Sequence, residues 1–309
     1  MHVALFARDR LPVRKYGGTQ RIVVYLARGL AAAGHRVTLI AAAGSRVPEA
    51  TLVPLQPAQV RRPDLDLRPL LPAGVDVLLS FVPLAHPPGV PWIRSLHGNR
   101  RPGTESAPNT LFLSRDHARR HGATAFVYNG IDLSEFRFEP VKQRYDLFLG
   151  RLHSVKGYRW AIDGARRAGR RLLVAGGWRP SLTRRVRYLG KVDGPEKAEL
   201  LARAACLWMP ALWDEPFGLT LIEALASGTP VLGTRRGALP EIVAPDTGAL
   251  GDTLDELVAR RADLDGIDPG ACRAMVERRF THHVMAAEYV RVFREFLATG
   301  TLPPGRENG

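Results

Sequence analysis

The chain has 309 residues, 45% of them hydrophobic and 24% charged, which is ordinary for globular protein and long enough for two domains. Its apolar runs are short and broken by Gly, Pro or charge, which excludes a membrane-spanning helix, and Cys206 and Cys272 are too few for a disulfide framework and lack metal-ligand spacing. The formal net charge of +14 is nearly all arginine, in scattered pairs such as Arg61-Arg62, Arg100-Arg101 and Arg184-Arg185 rather than the single block of a nucleic-acid tail.

In chain order, residues 2–7 read as an apolar strand with no signal-peptide pattern before it, followed by a polar loop to Gly18. Ile22, Val23, Leu26 and Leu30 mark one face of a helix that stops near Gly34, and residues 36–42 form the next strand. Pro48, Pro54, Pro57, Pro63, Pro69 and Pro72 then limit regular structure. Residues 75–81, 92–96, 110–114 and 125–128 read as further strands. After Asn129-Gly130-Ile131-Asp132 the alternation restarts, with strands at 146–150, 172–175, 186–189, 207–210 and 230–233 and helices at 158–168 and 195–205. A last helix, 283–297, carries Met285, Tyr289, Val292, Phe293 and Phe296 at helical spacing, and a tail from 299 to 309 reads as frayed. Two series of alternating strands and helices imply an α/β chain of two doubly wound, Rossmann-like domains, with ligands at the carboxyl ends of the strands.

The loops after strands therefore hold the candidate chemistry. Gly17-Gly18 precede the first helix, where paired glycines let backbone approach a phosphate or sugar. No Gly-x-Gly-x-x-Gly fingerprint is present, so a redox cofactor is unsupported. His97 ends a strand and offers a hydrogen bond to a hydroxyl or carbonyl. The segment 150–157 places Arg151, a fork of donors, and Lys156, a mobile point charge, at a strand end, where they suit a diphosphate that gains charge as a bond to it breaks.

Residues 211–230 are the most informative. Glu215 lies in a Trp/Pro/Gly-broken loop, and Glu223 lies in a helix that is apolar on nearly every side. A buried carboxylate there is costly unless it caps backbone or is paired. Gly218 and Leu219 open the helix, so main-chain N–H groups and the positive dipole end stand between the two acids. A sugar nucleotide has the matching pattern, a diphosphate with a polyol at each end.

Together these segments resemble the family-4 (GT4-type) retaining glycosyltransferases of the GT-B fold, most specifically in the Glu-x7-Glu signature from Glu215 to Glu223. The resemblance continues in Gly237-Ala-Leu-Pro-Glu-Ile-Val243, Gly150-Arg151, Lys156-Gly157, Asn129-Gly130-Ile131-Asp132, Gly17-Gly18 and His97. It implies two domains facing a central cleft. Residues 1–128 form the acceptor-side domain, with the helix 283–298 packing back on it, residues 129–282 form the nucleotide-sugar domain, and 299–309 is a flexible tail. It further implies that Glu223 holds the ribose and Glu215 the donor sugar, with Phe217, Gly218, Leu219 and Thr220 near sugar and phosphate. Val192 would lie by the nucleobase, Arg151 and Lys156 on the departing diphosphate in place of a metal ion, His97 near the reacting carbon, and Gly17 and Gly18 over the phosphates. The N-terminal half is short for the family, which leaves the acceptor unspecified.

The expectation is a metal-independent hexosyltransferase that uses a UDP- or GDP-type sugar and no cofactor. The alternatives are a sugar-nucleotide epimerase or hydrolase and a basic nucleic-acid-binding protein, the latter without an aromatic-interleaved basic motif to support it. A cytoplasmic setting, with peripheral association to an anionic membrane through the basic surface, completes the expectations.

Overall fold

The fold is that of a computed structural model, which describes residues 1–13, 17–100, 106–180, 183 and 185–307. Arg101 and Arg184 of the arginine pairs and residues 14–16 of the first loop lie outside these. The chain divides into two compact units, Met1–Ile131 with Thr281–Gly309, and Asp132–Phe280. The dividing points fall at Ile131 and Phe280 rather than at 128 and 282. The reason is local: Ile131 bridges Thr281, and the His282 N–H donates to the Ile131 carbonyl at 2.8 Å. A Cβ on Gly130 would stand 2.1 Å from the Thr281 carbonyl oxygen, so the two strands of chain meet there only through glycine.

The first unit runs β1 (His2–Phe6), α1 (Gly18–Ala32), β2 (Arg36–Ala42), β3 (Thr51–Leu55), α2 (Pro57–Arg61), β4 (Val77–Ser80), β5 (Trp92–Ser95), β6 (Thr110–Leu111) and α3 (Arg115–Arg120). The sheet is parallel in the order β3-β2-β1-β4-β5-β6. The proline-rich interval is more regular than its composition implies. Pro54 lies within β3, an edge strand, where a missing N–H is tolerated, and Pro57 opens α2, where that N–H has no intrahelical partner to lose. Conversely, 125–128 is not a strand; it makes an isolated parallel bridge from Phe126 to Phe112.

The C-terminal helix α10 (His282–Thr299) belongs to this unit and buries Met285, Tyr289, Val292 and Phe293. It packs along α1, and a Cβ on Gly29 of α1 would come within 2.4 Å of the His282 carbonyl oxygen. The segment after α10 is docked rather than frayed. The Gly305 N–H donates to the Thr124 carbonyl at 2.9 Å, and a Cβ on Gly305 would strike the Phe126 ring.

The second unit runs β7 (Asp146–Leu149), α4 (Tyr158–Arg167), β8 (Leu172–Ala175), β9 (Val186–Gly190), α5 (Gly194–Arg203), β10 (Cys206–Met209), α6 (Leu219–Ala226), β11 (Val231–Thr234), α7 (Leu239–Ile242), β12 (Gly248–Gly251), α8 (Leu254–Arg260) and α9 (Pro269–Arg279). Its parallel sheet has the order β12-β11-β10-β7-β8-β9. Both sheets thus have the doubly wound order 3-2-1-4-5-6, which reverses direction between the first and fourth strands. In the second unit that switch point lies between β7 and β10. At the opposite, amino end of β7, the fully buried Asp146 takes a two-pronged ion pair from Arg261 at 2.6 and 2.8 Å and the Trp208 indole N–H at 2.8 Å. Burial opposes the charge on Arg261, but the hydrogen bonds to Asp146 raise its pKa above the usual value. Among the described residues no helix is long and apolar enough to cross a membrane.

Candidate active site

Three loops at the carboxyl edge of the second sheet carry the site, and main chain locks them together. The loop after β7 holds Arg151 and Lys156, and that after β10 runs from Pro210 to Gly218. Leu212 donates its N–H to the Val155 carbonyl at 2.8 Å, and a Cβ on Gly157 would lie 1.7 Å from the Pro210 carbonyl oxygen. Gly157 also has φ 69°, so glycine is required twice over. The loop after β11 closes from the other side, where the Ala238 N–H donates to the Glu215 carbonyl at 2.9 Å. A Cβ on Gly237 would meet the Glu215 main chain at 2.3 Å.

Glu215 is buried, 8% exposed, beside the switch point. Its Oε2 accepts from Lys156 Nζ at 2.6 Å and from the Trp213 indole N–H at 2.8 Å. Lys156 Nζ also stands 4.6 Å over the Trp213 ring, an attraction between cation and ring face. Among the described residues no donor reaches Oε1, so one oxygen of the carboxylate is held and the other is available. Arg151 is exposed on the same loop, and among the described residues no carboxylate pairs with it. Phe217 is buried against Phe280 at 5.9 Å, and Gly218 turns the chain into α6 with φ 88°. No side chain caps α6, so its first turn presents N–H groups and the positive end of the dipole at the switch point.

Among the described residues the side chain of Glu223, 4% exposed on α6, meets neither backbone nor arginine. Its Oε1 accepts from Lys197 Nζ of α5 at 2.8 Å, and Lys197 lies 5.4 Å from the Phe136 ring centroid. Lys197 and Trp213 are the site residues that sequence reasoning missed. A signal existed, since lysine occurs at only five positions, 15, 142, 156, 191 and 197, among 44 basic residues. Two of the five hold the two glutamates. Val192 follows β9, and its side chain is buried, 8% exposed.

In the first unit, Gly17 has φ 150° and precedes α1, which no side chain caps, while a Cβ on Gly18 would meet nothing within 4 Å. His97 lies just beyond β5. Its Nε2 is 2.9 Å from Ser95 Oγ, which is 3.2 Å from the Tyr289 hydroxyl of α10, and its ring is 5.3 Å from Phe81. Burial pushes the His97 pKa down to about 3, so the ring is neutral at pH 7.

Across 98% of its length the chain superposes on 99% of AviGT4, a glycosyltransferase involved in avilamycin A biosynthesis, with TM-score 0.81 and 31% sequence identity. The chain belongs to the GT4-type glycosyltransferases of the GT-B fold. Residues 143–264, which include every site element of the second unit, match the family model "Glycosyl transferases group 1". The phosphatidyl-myo-inositol mannosyltransferase of Mycobacterium leprae is 33% identical over 130 residues, 39% of this chain and 34% of that protein. HepE of Anabaena, solved in complex with UDP-glucose, shares the fold at 16% identity and TM-score 0.69, covering 96% of this GT4-type chain and 100% of its own. The chain spans about a third of the length of the curated relatives it matches.

Proposed function

We propose that this GT4-type protein transfers a hexose-type sugar from a nucleoside-diphosphate donor to a hydroxyl acceptor, with retention of anomeric configuration and without a metal ion. The observation that carries the reading is the switch point of the second unit. There the uncapped amino end of α6, the cations Arg151 and Lys156, and the half-occupied carboxylates of Glu215 and Glu223 supply the kinds of group that a sugar nucleotide needs. The uncapped first turn of α6 receives the diphosphate with Arg151 and Lys156, which stabilise the charge that grows on it as the sugar leaves. Lys156 has three donors, so it can keep Glu215 Oε2 and still reach a phosphate oxygen. Glu223 holds the ribose hydroxyls, and Oε1 of Glu215 takes a hydroxyl of the donor sugar. Val192 lies on the side of the nucleobase.

In the transfer the bond from the anomeric carbon to the phosphate oxygen breaks and a bond from that carbon to the acceptor oxygen forms on the same face. The departing phosphate oxygen takes the acceptor proton, so no side-chain base is needed. The residues Gly17, Gly18 and His97 keep the parts that the family resemblance implies, the glycines toward phosphate and the neutral His97 toward the sugar.

The name of the Mycobacterium leprae relative favours a nucleotide-linked mannose, and the ligand of HepE favours UDP-glucose, as first donors to try. A thermal-shift panel of UDP- and GDP-hexoses, run with EDTA, tests the reading, because a ligand bound only by the folded state raises the melting temperature. One donor is expected to stand out, and its nucleoside diphosphate is expected to be released faster with a hydroxyl acceptor than without. Release that is equal in both cases would replace transfer with hydrolysis, and dependence on a divalent ion would remove the metal-free mechanism. The anomeric proton coupling of the product reports retention.

A further inference from the structure

The end strand of an open sheet presents main-chain N–H and C=O groups that a second strand can take, and proteins blunt such edges with proline, charge, brevity or irregular pairing. Three of the four sheet edges among the described residues are blunted in this way. β3 carries Pro54 and packs against α2, and β6 has only two residues. β9 carries Arg187 and shifts its register against β8. β12 differs: its sequence is Gly-Ala-Leu-Gly, with neither charge nor proline, and it ends the second sheet beside β11.

The ladder to β11 fixes which groups of β12 face outward. The Val231 N–H donates to the Thr247 carbonyl at 3.1 Å and the Arg235 N–H to the Gly251 carbonyl at 3.2 Å. Main-chain direction alternates along a strand, so Gly248 and Leu250 turn theirs away from β11. The Ala244 carbonyl takes the Gly248 N–H at 3.0 Å. Among the described residues no partner reaches the Leu250 N–H or the carbonyls of Gly248 and Leu250. This side of the strand is open, since a cavity of about 290 Å³ runs beside residues 248–250. Its walls are apolar at Val243, before β12, and at Leu264 and Ile267, beyond α8.

The charges at this edge indicate what covers it. Arg235, Arg260 and Asp263 line the cavity. Arg235 is neutralised by Asp252 at 2.9 Å and Glu256 at 3.5 Å. Arg260 ends α8 and Asp263 lies in the turn that follows, yet among the described residues neither has an ion-pair partner. The chain's net charge of +14 would hold two copies apart at most faces, but a rim with one free cation and one free anion is balanced. Such a rim attracts neither a polyanion nor an acidic peptide. It fits a copy of itself, because a two-fold axis sets the cation of each copy against the anion of the other.

We propose that β12 is the seam of a homodimer, in which the β12 strands of two copies pair antiparallel across a two-fold axis and join their second sheets into one. The Leu250 N–H of each copy donates to a Gly248 or Leu250 carbonyl of the other. Arg260 of each copy faces Asp263 of the other, and the apolar walls of the cavity lose their water. None of this rests on the transferase reading.

Sedimentation equilibrium of the full chain tests the seam. A monomer–dimer equilibrium is expected, and the Leu250 amide should exchange with deuterium more slowly as protein concentration rises. Leu250→Pro is expected to leave a monomer with unchanged circular dichroism, because it removes an outward N–H that the ladder to β11 does not use. Arg260→Glu or Asp263→Arg alone puts like charges together at both contacts and should weaken the dimer about ten-fold or more. The two exchanges combined should restore it, which damage to the fold by either one would not allow. A chain that is monomeric at every concentration overturns the proposal, and so does a dimer that Leu250→Pro and both single exchanges leave intact.

Discussion

Glu215 and Glu223 are both held by lysine in a chain whose basic residues are overwhelmingly arginine. The choice has a chemical reason. An arginine fork tends to take both oxygens of a carboxylate, whereas an ammonium is a point charge that holds one and leaves the other for substrate. Glu215→Gln is therefore expected to abolish transfer while leaving nucleotide affinity nearly intact, and Glu223→Ala to weaken the nucleotide itself. Lys197→Met should weaken it too and destabilise the fold by about 3 kcal/mol, because it strands a buried carboxylate. Calorimetry with the nucleoside diphosphate checks all three; full activity of Glu215→Gln would remove the role given to it. A second prediction concerns pH. Burial depresses the pKa values of His97 and His117 to about 3, against 6.5 when free, so between those values the unfolded chain binds more protons than the folded one. The stability contributed by the neutral rings is complete above pH 6.5 and is lost as pH falls toward 3. Urea midpoints should fall from pH 7 to pH 5, and less steeply in His117→Asn; an equal slope in that variant would refute the assignment.

Elements matter here for where their ends meet. The loops after β7, β10 and β11 are joined main chain to main chain, and glycine is the condition of each junction. Gly237→Ala places a Cβ 2.3 Å from the Glu215 N, at φ 59°, and should displace Glu215 with a loss of transfer of at least ten-fold. Gly169→Ala is the matched control, with φ 69° but nothing within 4 Å of the new Cβ, so it carries only the left-handed strain of about 1–2 kcal/mol. Steady-state kinetics of the two variants decide the matter, and equal activities would show that the junction does not position Glu215. The glycine before α6 and the apolar run of the helix itself were legible, because helix entry and burial are local patterns. β3 was not, because Pro54 argues against a strand until the strand is known to be an edge. Lys197 was not legible as a partner either: 26 residues separate it from Glu223, and only the packing of α5 beside α6 closes that distance.

At the scale of the molecule, the chain leaves its first unit at Ile131 and re-enters it at Thr281, so α10 completes a core whose other members lie more than a hundred residues earlier. Phe293 is fully buried there, and Phe293→Ala should cost about 3–5 kcal/mol through lost burial and the cavity left behind. A denaturant midpoint unchanged from the parent would mean that α10 does not contribute to the stability of that unit. The alternation of strands and helices, the apolar setting of Glu223 in its helix, and the placing of Arg151, Lys156 and Glu215 on strand-end loops were set by the sequence alone, since each is a matter of spacing within one segment. Tertiary structure decided which oxygen of each glutamate is held and that the holders are Lys156 and Lys197. Those outcomes depend on strand order and helix packing, which bring together side chains that no local period connects.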